Sequence, residues 1–225
     1  MVAILPPTLV SGIIEPLQVH QRIRKIQEES VRYIDDIELR KINEFARRIR
    51  GEIFFSNKWI LCEGATEYAL IHAFFEKEGF PLDSNGIAVI DCQNGGSPGA
   101  FVSLAEQLGF PWVLFCDGDP AGVGYVSQAI AQGLSRQQVM KKTVQLEQDD
   151  IEEALVACGH GKEICEVLRE SGLMWKEIDN DQDLIKLLRN KKTEYSGAIA
   201  QWIYAGKQFS TPGFIEDLIS KVRTC

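Results

Sequence analysis

The stretch "WVLFCDGDPAG", residues 112–122, ends an apolar run on two carboxylates separated by a single glycine. Trp112, Val113, Leu114, Phe115 and Cys116 read as a short, fully buried strand with a turn behind it. Asp117 and Asp119 at the carboxyl end of such a strand repel each other unless positive charge lies between them. A divalent cation supplies that charge, because hard cations take oxygen ligands. A solvated Asp-Gly turn is the plainer reading, and the motif alone does not choose between them.

The flanking sequence supplies the context. "NKWILCEG" (57–64) predicts a strand closing on Glu63-Gly64, and "ATEYALIHAFFEKEG" (65–79) a helix stopped by Gly79. "GIAVIDC" (86–92) predicts a second strand, and "GGSPGAFVSLAEQLG" (95–109) a glycine-rich turn leading into a helix. After the third strand, "PAGVGYVSQAIAQG" opens a helix with Pro120 in its first turn. "KKTVQLE" (141–147) predicts a fourth strand and "DDIEEALVACG" (149–159) the helix after it. Strands alternating with helices predict an α/β fold with a parallel sheet flanked by helices. Ligands of such sheets bind at the carboxyl ends of the strands. From Lys162 onward the pattern is helical only, with segments near 162–171, 181–190, 193–206 and 213–223.

Ahead of the core, residues 1–14 are apolar and proline-interrupted, as in a tail. From Leu17 to Arg50 apolar residues recur at helical spacing and predict one or two long amphipathic helices, an arm suited to joining something else. The expected organisation is a tail and helical arm (1–56), an α/β domain (57–160) and a helical subdomain (161–225).

Composition narrows the class. The 225 residues are 45% hydrophobic and 25% charged, which fits a globular chain, and no apolar run approaches the roughly 20 residues that span a bilayer. Six scattered cysteines form no CxxC pair, which argues against zinc and for reduced thiols in the cytoplasm. A net charge of −8 argues against a simple basic nucleic-acid binder, although a carboxylate-rich metal site would itself contribute several negatives. Positive residues still cluster at 22–25, 40–50, 141–142 and 191–192, as phosphate contacts or as solvated helix faces.

The acids fall where the strands end. Glu63 follows the first strand, Asp117 and Asp119 the third, and Asp149, Asp150 and Glu152 the fourth. Glu67 lies four residues after Glu63, on the same side of the first helical turn. Glu67 and Asp150 also suit a helix N-terminus through the macrodipole alone. A carboxylate directly after "WILC" has no such local use. In a parallel sheet all these loops share one edge, and a shared cation relieves their repulsion.

At this point the residues resemble a known family. Glu-Gly after the first strand, a glycine-rich turn after the second and Asp-Gly-Asp-Pro-Ala-Gly after the third are similar to the Toprim domain of topoisomerases, bacterial primases and several nucleases. "LRKINEFARRIRGEIFFSNKWILCEGATEYALI" resembles the entry to Toprim in the OLD (overcoming lysogenization defect) nucleases, where a second Glu follows the first by four residues. "DDIEEAL" resembles that family's late acidic motif, pointing to Asp150 and Glu152. "RNKKTEYSGAIAQWI" resembles the segment bearing its catalytic lysine, with Lys192 the better match than Lys191.

The resemblance implies hydrolysis of DNA phosphodiesters with two Mg²⁺ or Mn²⁺ ions, Ca²⁺ being a non-productive substitute. It implies Glu63, Asp117, Asp119 and Lys192 as catalytic residues, and Glu63, Glu67, Asp117, Asp119, Asp150 and Glu152 as metal ligands. OLD proteins carry an N-terminal ATPase, and this chain has no GxxxxGK[ST] loop. It therefore resembles their C-terminal catalytic region, with DNA and an ATPase domain as expected partners and oligomers formed through that domain or the arm. The rival readings are a Toprim topoisomerase or primase fragment and a non-catalytic docking module. A haloacid-dehalogenase phosphatase also uses Asp-x-Asp, but on the first core strand and with Thr or Val after it, where this chain has Pro120 after the third strand.

Overall fold

The computed structural model describes residues 52–95 and 97–225. The expected tail and the helical arm of 17–50 lie outside the described residues.

Four parallel strands form the sheet: β1 (Lys58–Cys62), β2 (Ile87–Asp91), β3 (Trp112–Cys116) and β4 (Thr143–Gln145), in the order β2-β1-β3-β4. β1 is central, with Cys62 opposite Asp91 of β2 and Leu61 opposite Leu114 of β3. Alternation of side chains divides the core in two. Trp59, Leu61, Trp112, Leu114 and Cys116 face one layer, and Ile60, Cys62, Val113, Phe115 and Val144 face the other. Both layers are apolar, which is why β3 reads as an unbroken run of buried residues.

The first layer is covered by α3 (Pro98–Leu108), α4 (Pro120–Ile130) and α5 (Arg136–Lys141). The second is covered by α1 (Ala65–Lys77), α6 (Ile151–Ala157), α7 (Gly161–Glu170), α9 (Lys192–Tyr204) and α10 (Gly213–Thr224), with α8 (Asp181–Asn190) joining the same core. A one-turn helix, α2 (Cys92–Gly95), follows β2 directly. The helix-only tail of the sequence thus shares one hydrophobic core with the sheet, and α9 packs along α1.

Two helices, α2 and α5, stand where the sequence pattern predicted a turn or nothing. The second is announced by Ser135, whose hydroxyl accepts from the Gln138 N–H while the Gln138 side chain returns to the Ser135 N–H. Of its six residues only the adjacent Val139 and Met140 are apolar, too few to show a helical period. β4 is three residues long, shorter than the strand predicted over 141–147.

The strand order places a switch point between β1 and β3, since the chain turns to one side of β1 for β2 and to the other for β3. The loops leaving β1 and β3 part there, and they carry Glu63 and Asp117.

Candidate active site

The DGDPAG loop owes its shape to close backbone approach. The Gly118 N–H donates to the Gln148 carbonyl at 2.9 Å, and a Cβ on Gly118 would stand 2.4 Å from that oxygen. A Cβ on Gly122 would stand 2.0 Å from the Asp117 carbonyl oxygen. Only glycine lets the loop after β3 pass beneath the loop after β4 and then enter α4 so tightly. Gln145 adds a hydrogen bond from its side-chain amide to the Asp117 carbonyl at 3.3 Å.

Four of the acids spend an oxygen on a main-chain N–H, which fixes them in place. Glu63 Oε1 accepts from Asp117 N–H at 2.9 Å, tying the ends of β1 and β3 together. Glu67 Oε2 accepts from Gly64 N–H at 2.8 Å, closing the first turn of α1. Asp119 and Asp150 cap α4 and α6, with Oδ1 accepting from Gly122 N–H at 2.8 Å and from Glu153 N–H at 2.9 Å. The helix N-terminal places expected for Glu67 and Asp150 are real, and there each carboxylate also accepts a main-chain hydrogen bond.

The helices beyond the sheet bring the counter-charges. Lys192, the first residue of α9, places Nζ 3.3 Å from Glu152 Oε2. Glu152 has no solvent exposure, whereas about half of the Lys192 side chain is open to water. The Tyr195 hydroxyl donates to Glu152 Oε1 at 2.9 Å. Arg189, near the end of α8, donates from Nε to Asp150 Oδ2 at 2.6 Å and from Nη2 to Glu153 at 3.2 Å. Tyr195 and Arg189 escaped the sequence reading, because their partners lie 43 and 39 residues away. The only local signal was the helical spacing of Tyr195 from Lys192.

The electrostatics report crowding of negative charge. Burial, then Glu67, Glu63, Glu152 and Asp150, push the Asp117 carboxyl up to about 8. Burial outweighs the hydrogen bonds to Glu67 and, with Glu152 and Glu63 nearby, carries it up to about 7. Glu63 is also raised, by burial first, against the Asp117 N–H and the Lys192 charge that favour its anion. Burial pulls Lys192 down, but Glu152, Asp150 and Glu67 more than offset it and hold the ammonium above its ordinary range. Glu63, Glu67, Asp117, Asp119, Asp150, Glu152 and Lys192, from four parts of the chain, thus stand near enough to influence the ionisation of their neighbours in the group.

A resident cation fits this locus on two counts. Asp117 Oδ1 is buried without a hydrogen-bond partner. The donors are oxygens, since burial pushes the neighbouring Cys116 thiol up to about 12 and keeps it protonated. Among the described residues no three Asp, Glu, His or Cys side chains stand as a ready-made ligand cage. Glu63, Glu67, Asp119, Asp150 and Glu152 are turned instead toward their own N–H, hydroxyl or cationic partners.

Residues 54–119 match the family described as overcoming lysogenization defect protein-like, TOPRIM domain. The fold is similar to the C-terminal region of the OLD protein of Xanthomonas campestris pv. campestris, with a TM-score of 0.60 and 24% identity over 77% of this chain and 95% of that one. It is equally similar to the C-terminal region of the Burkholderia pseudomallei OLD protein, with a TM-score of 0.60 and 19% identity over 76% of this chain and 98% of that one. At these identities the likeness concerns the fold. An 89-residue stretch is 35% identical to the uncharacterized protein YbjD of Escherichia coli (strain K12), covering 39% of this chain and 16% of that protein. Among the described residues no helix is long and apolar enough to cross a membrane.

Proposed function

Proceeding from the OLD-like Toprim domain at residues 54–119, we propose that this chain is a divalent-metal-dependent DNA nuclease, the catalytic C-terminal region of an OLD-type protein. The domain match and the likeness to OLD C-terminal regions support a nuclease-type Toprim role. The finer reading rests on one observation, the Asp117 carboxylate. It has a buried, unpartnered oxygen, and burial together with the neighbouring acids raises it to about 8; a cation satisfies both conditions at once.

In this reading Glu63, Glu67, Asp117, Asp119, Asp150 and Glu152 would together hold two divalent ions. Two Mg²⁺ or Mn²⁺ ions bound there supply Lewis acidity and charge neutralisation for an in-line displacement at phosphorus. The protein's own contribution is to hold the acids rigidly through main-chain N–H groups, so that little reorganisation accompanies the reaction. About half of the Lys192 side chain is open to solvent. Its ammonium stays charged and is free to follow negative charge developing on the phosphoryl oxygens. DNA is the partner, and an ATPase domain in the whole protein and assembly through it belong to the same proposal.

The test is incubation of the purified chain with supercoiled plasmid, without ATP, in Mg²⁺, Mn²⁺, Ca²⁺ or chelator. The expected result is nicked and linear DNA with Mg²⁺ or Mn²⁺ and intact plasmid with Ca²⁺ or chelator. Intact plasmid under every condition contradicts a self-sufficient nuclease.

A further inference from the structure

We propose that Tyr195 is a positioning residue for metal binding: its phenol O–H, donated to Glu152 Oε1 at 2.9 Å, aims Glu152 Oε2 into the acidic edge. This inference rests on the metal reading given above and adds to it a residue outside the acidic motifs and the lysine.

Both partners are sealed from solvent, so neither has water as an alternative partner. Tyr195, on α9, belongs to the buried core that backs the sheet, and its hydroxyl donates to Glu152 Oε1. On the same face of α9, one turn earlier, Lys192 meets the other oxygen at 3.3 Å. One helix face therefore grips both oxygens of one carboxylate.

The two grips differ in kind. Lys192 neutralises charge and, being half exposed, can swing away. The phenol is neutral: it fixes the carboxylate plane and leaves the full negative charge for a cation. Asp150 offers the contrast, since Arg189 takes its Oδ2 at 2.6 Å and cancels charge as it positions. Groups that orient ligating carboxylates in this way change metal affinity by roughly 10- to 100-fold when removed.

The test is Mn²⁺ titration calorimetry on the full chain and its Tyr195→Phe variant, well below their melting temperatures, with plasmid cleavage followed against Mn²⁺ concentration. Phenylalanine keeps the ring and its packing. The expected result is Mn²⁺ affinity about tenfold weaker, with the cleavage midpoint shifted to higher Mn²⁺ and the plateau rate nearly unchanged. In a Glu152→Gln background the same replacement should cost no further Mn²⁺ affinity. A parallel arm uses a Gly124→Ala background, where the new Cβ meets open space in α4 and adds helix stability.

Wild-type Mn²⁺ affinity in Tyr195→Phe overturns the proposal, as does an equal loss in the Glu152→Gln background. A variant that fails to fold even with Gly124→Ala also overturns it, because it assigns the hydroxyl to stability. A wild-type chain that binds Mn²⁺ without cutting DNA removes the nuclease and leaves the role of Tyr195 intact. A wild-type chain that binds no Mn²⁺ removes both.

Discussion

The main-chain N–H of Asp117 donates to Glu63 Oε1 at 2.9 Å, so the acid that ends β1 and the first acid after β3 are bound to each other across the switch point of the sheet. The Glu63 carboxylate and the backbone at the end of β3 cannot shift independently. The arrangement sets how each part of the edge should respond to change.

Asp119 has two jobs that substitution can separate. Its Oδ1 caps α4 through the Gly122 N–H, which asparagine can also do. Asp119→Asn should therefore keep wild-type stability and lose metal-dependent cleavage. Asp119→Ala should lose cleavage and also about 1 kcal/mol of stability, the usual cost of a missing cap. Urea denaturation beside the plasmid assay checks both. Equal stability of the two variants would remove the cap from the account.

The glycines of the same loop should divide sharply. Gly118→Ala and Gly122→Ala place a Cβ 2.4 Å and 2.0 Å from backbone oxygens, and the loop must move to accept it. Each should cost roughly 1–3 kcal/mol and disturb the acidic edge. Gly124→Ala, in open space within α4, should instead stabilise by about 0.5–1 kcal/mol. Denaturant midpoints for the three variants decide the matter.

Raised carboxyls make stability depend on pH in a defined direction. In the unfolded chain these groups ionise near about pH 4, whereas in the fold Glu67 is pushed to about 7 and Asp117 to about 8. Between those limits the folded state binds more protons than the unfolded one, so stability falls as pH rises. Glu78, Glu106 and Glu163 are shifted down by their cationic or hydrogen-bonding partners, so their contribution is lost below this window. The melting temperature of metal-free protein should fall from about pH 5.5 to about pH 8.5, and Mn²⁺ should restore more at the higher pH. A melting temperature that rises over this range contradicts the crowding of Glu67 and Asp117.

Much of this edge was legible in the sequence. β1 and β3 are buried on both faces, so they appear as the apolar runs "WILC" and "WVLFC", and the acids after them stand out against those runs. The family resemblance pointed to Lys192, and the fold carries its ammonium to Glu152. What stayed hidden depends on contacts between distant segments. Arg189 with Asp150 and Tyr195 with Glu152 follow from α8 and α9 folding back over the sheet layer, which no local period records. α5 was missed because it is short and solvated, although its Ser135–Gln138 capping pair was in plain view.

Lys192 and Lys191 should separate kinetically. Lys192 is paired with a fully buried carboxylate at the acidic edge, while Lys191 forms the corner between α8 and α9. Lys192→Ala should bind DNA nearly normally and cut at least roughly a hundredfold more slowly, an assumed loss of about 2.7 kcal/mol in the barrier. Lys191→Ala should cut almost normally. If Lys192→Ala loses affinity alone, with a salt slope flatter by about one unit, the residue is a phosphate contact instead.

The central claim is that the crowded carboxylates around Asp117 hold a divalent cation, and Mn²⁺ binding with its proton release measures this most directly. Asp117 near about 8 and Glu67 near about 7 are partly protonated at neutral pH, and a cation must displace those protons. Calorimetry at about pH 7 in buffers of different ionisation enthalpy should show Mn²⁺ binding with net proton release in the wild-type chain. In Asp117→Asn both the affinity and the released protons should drop sharply. Absence of Mn²⁺ binding, or binding of the same strength and proton stoichiometry in Asp117→Asn, would contradict the account.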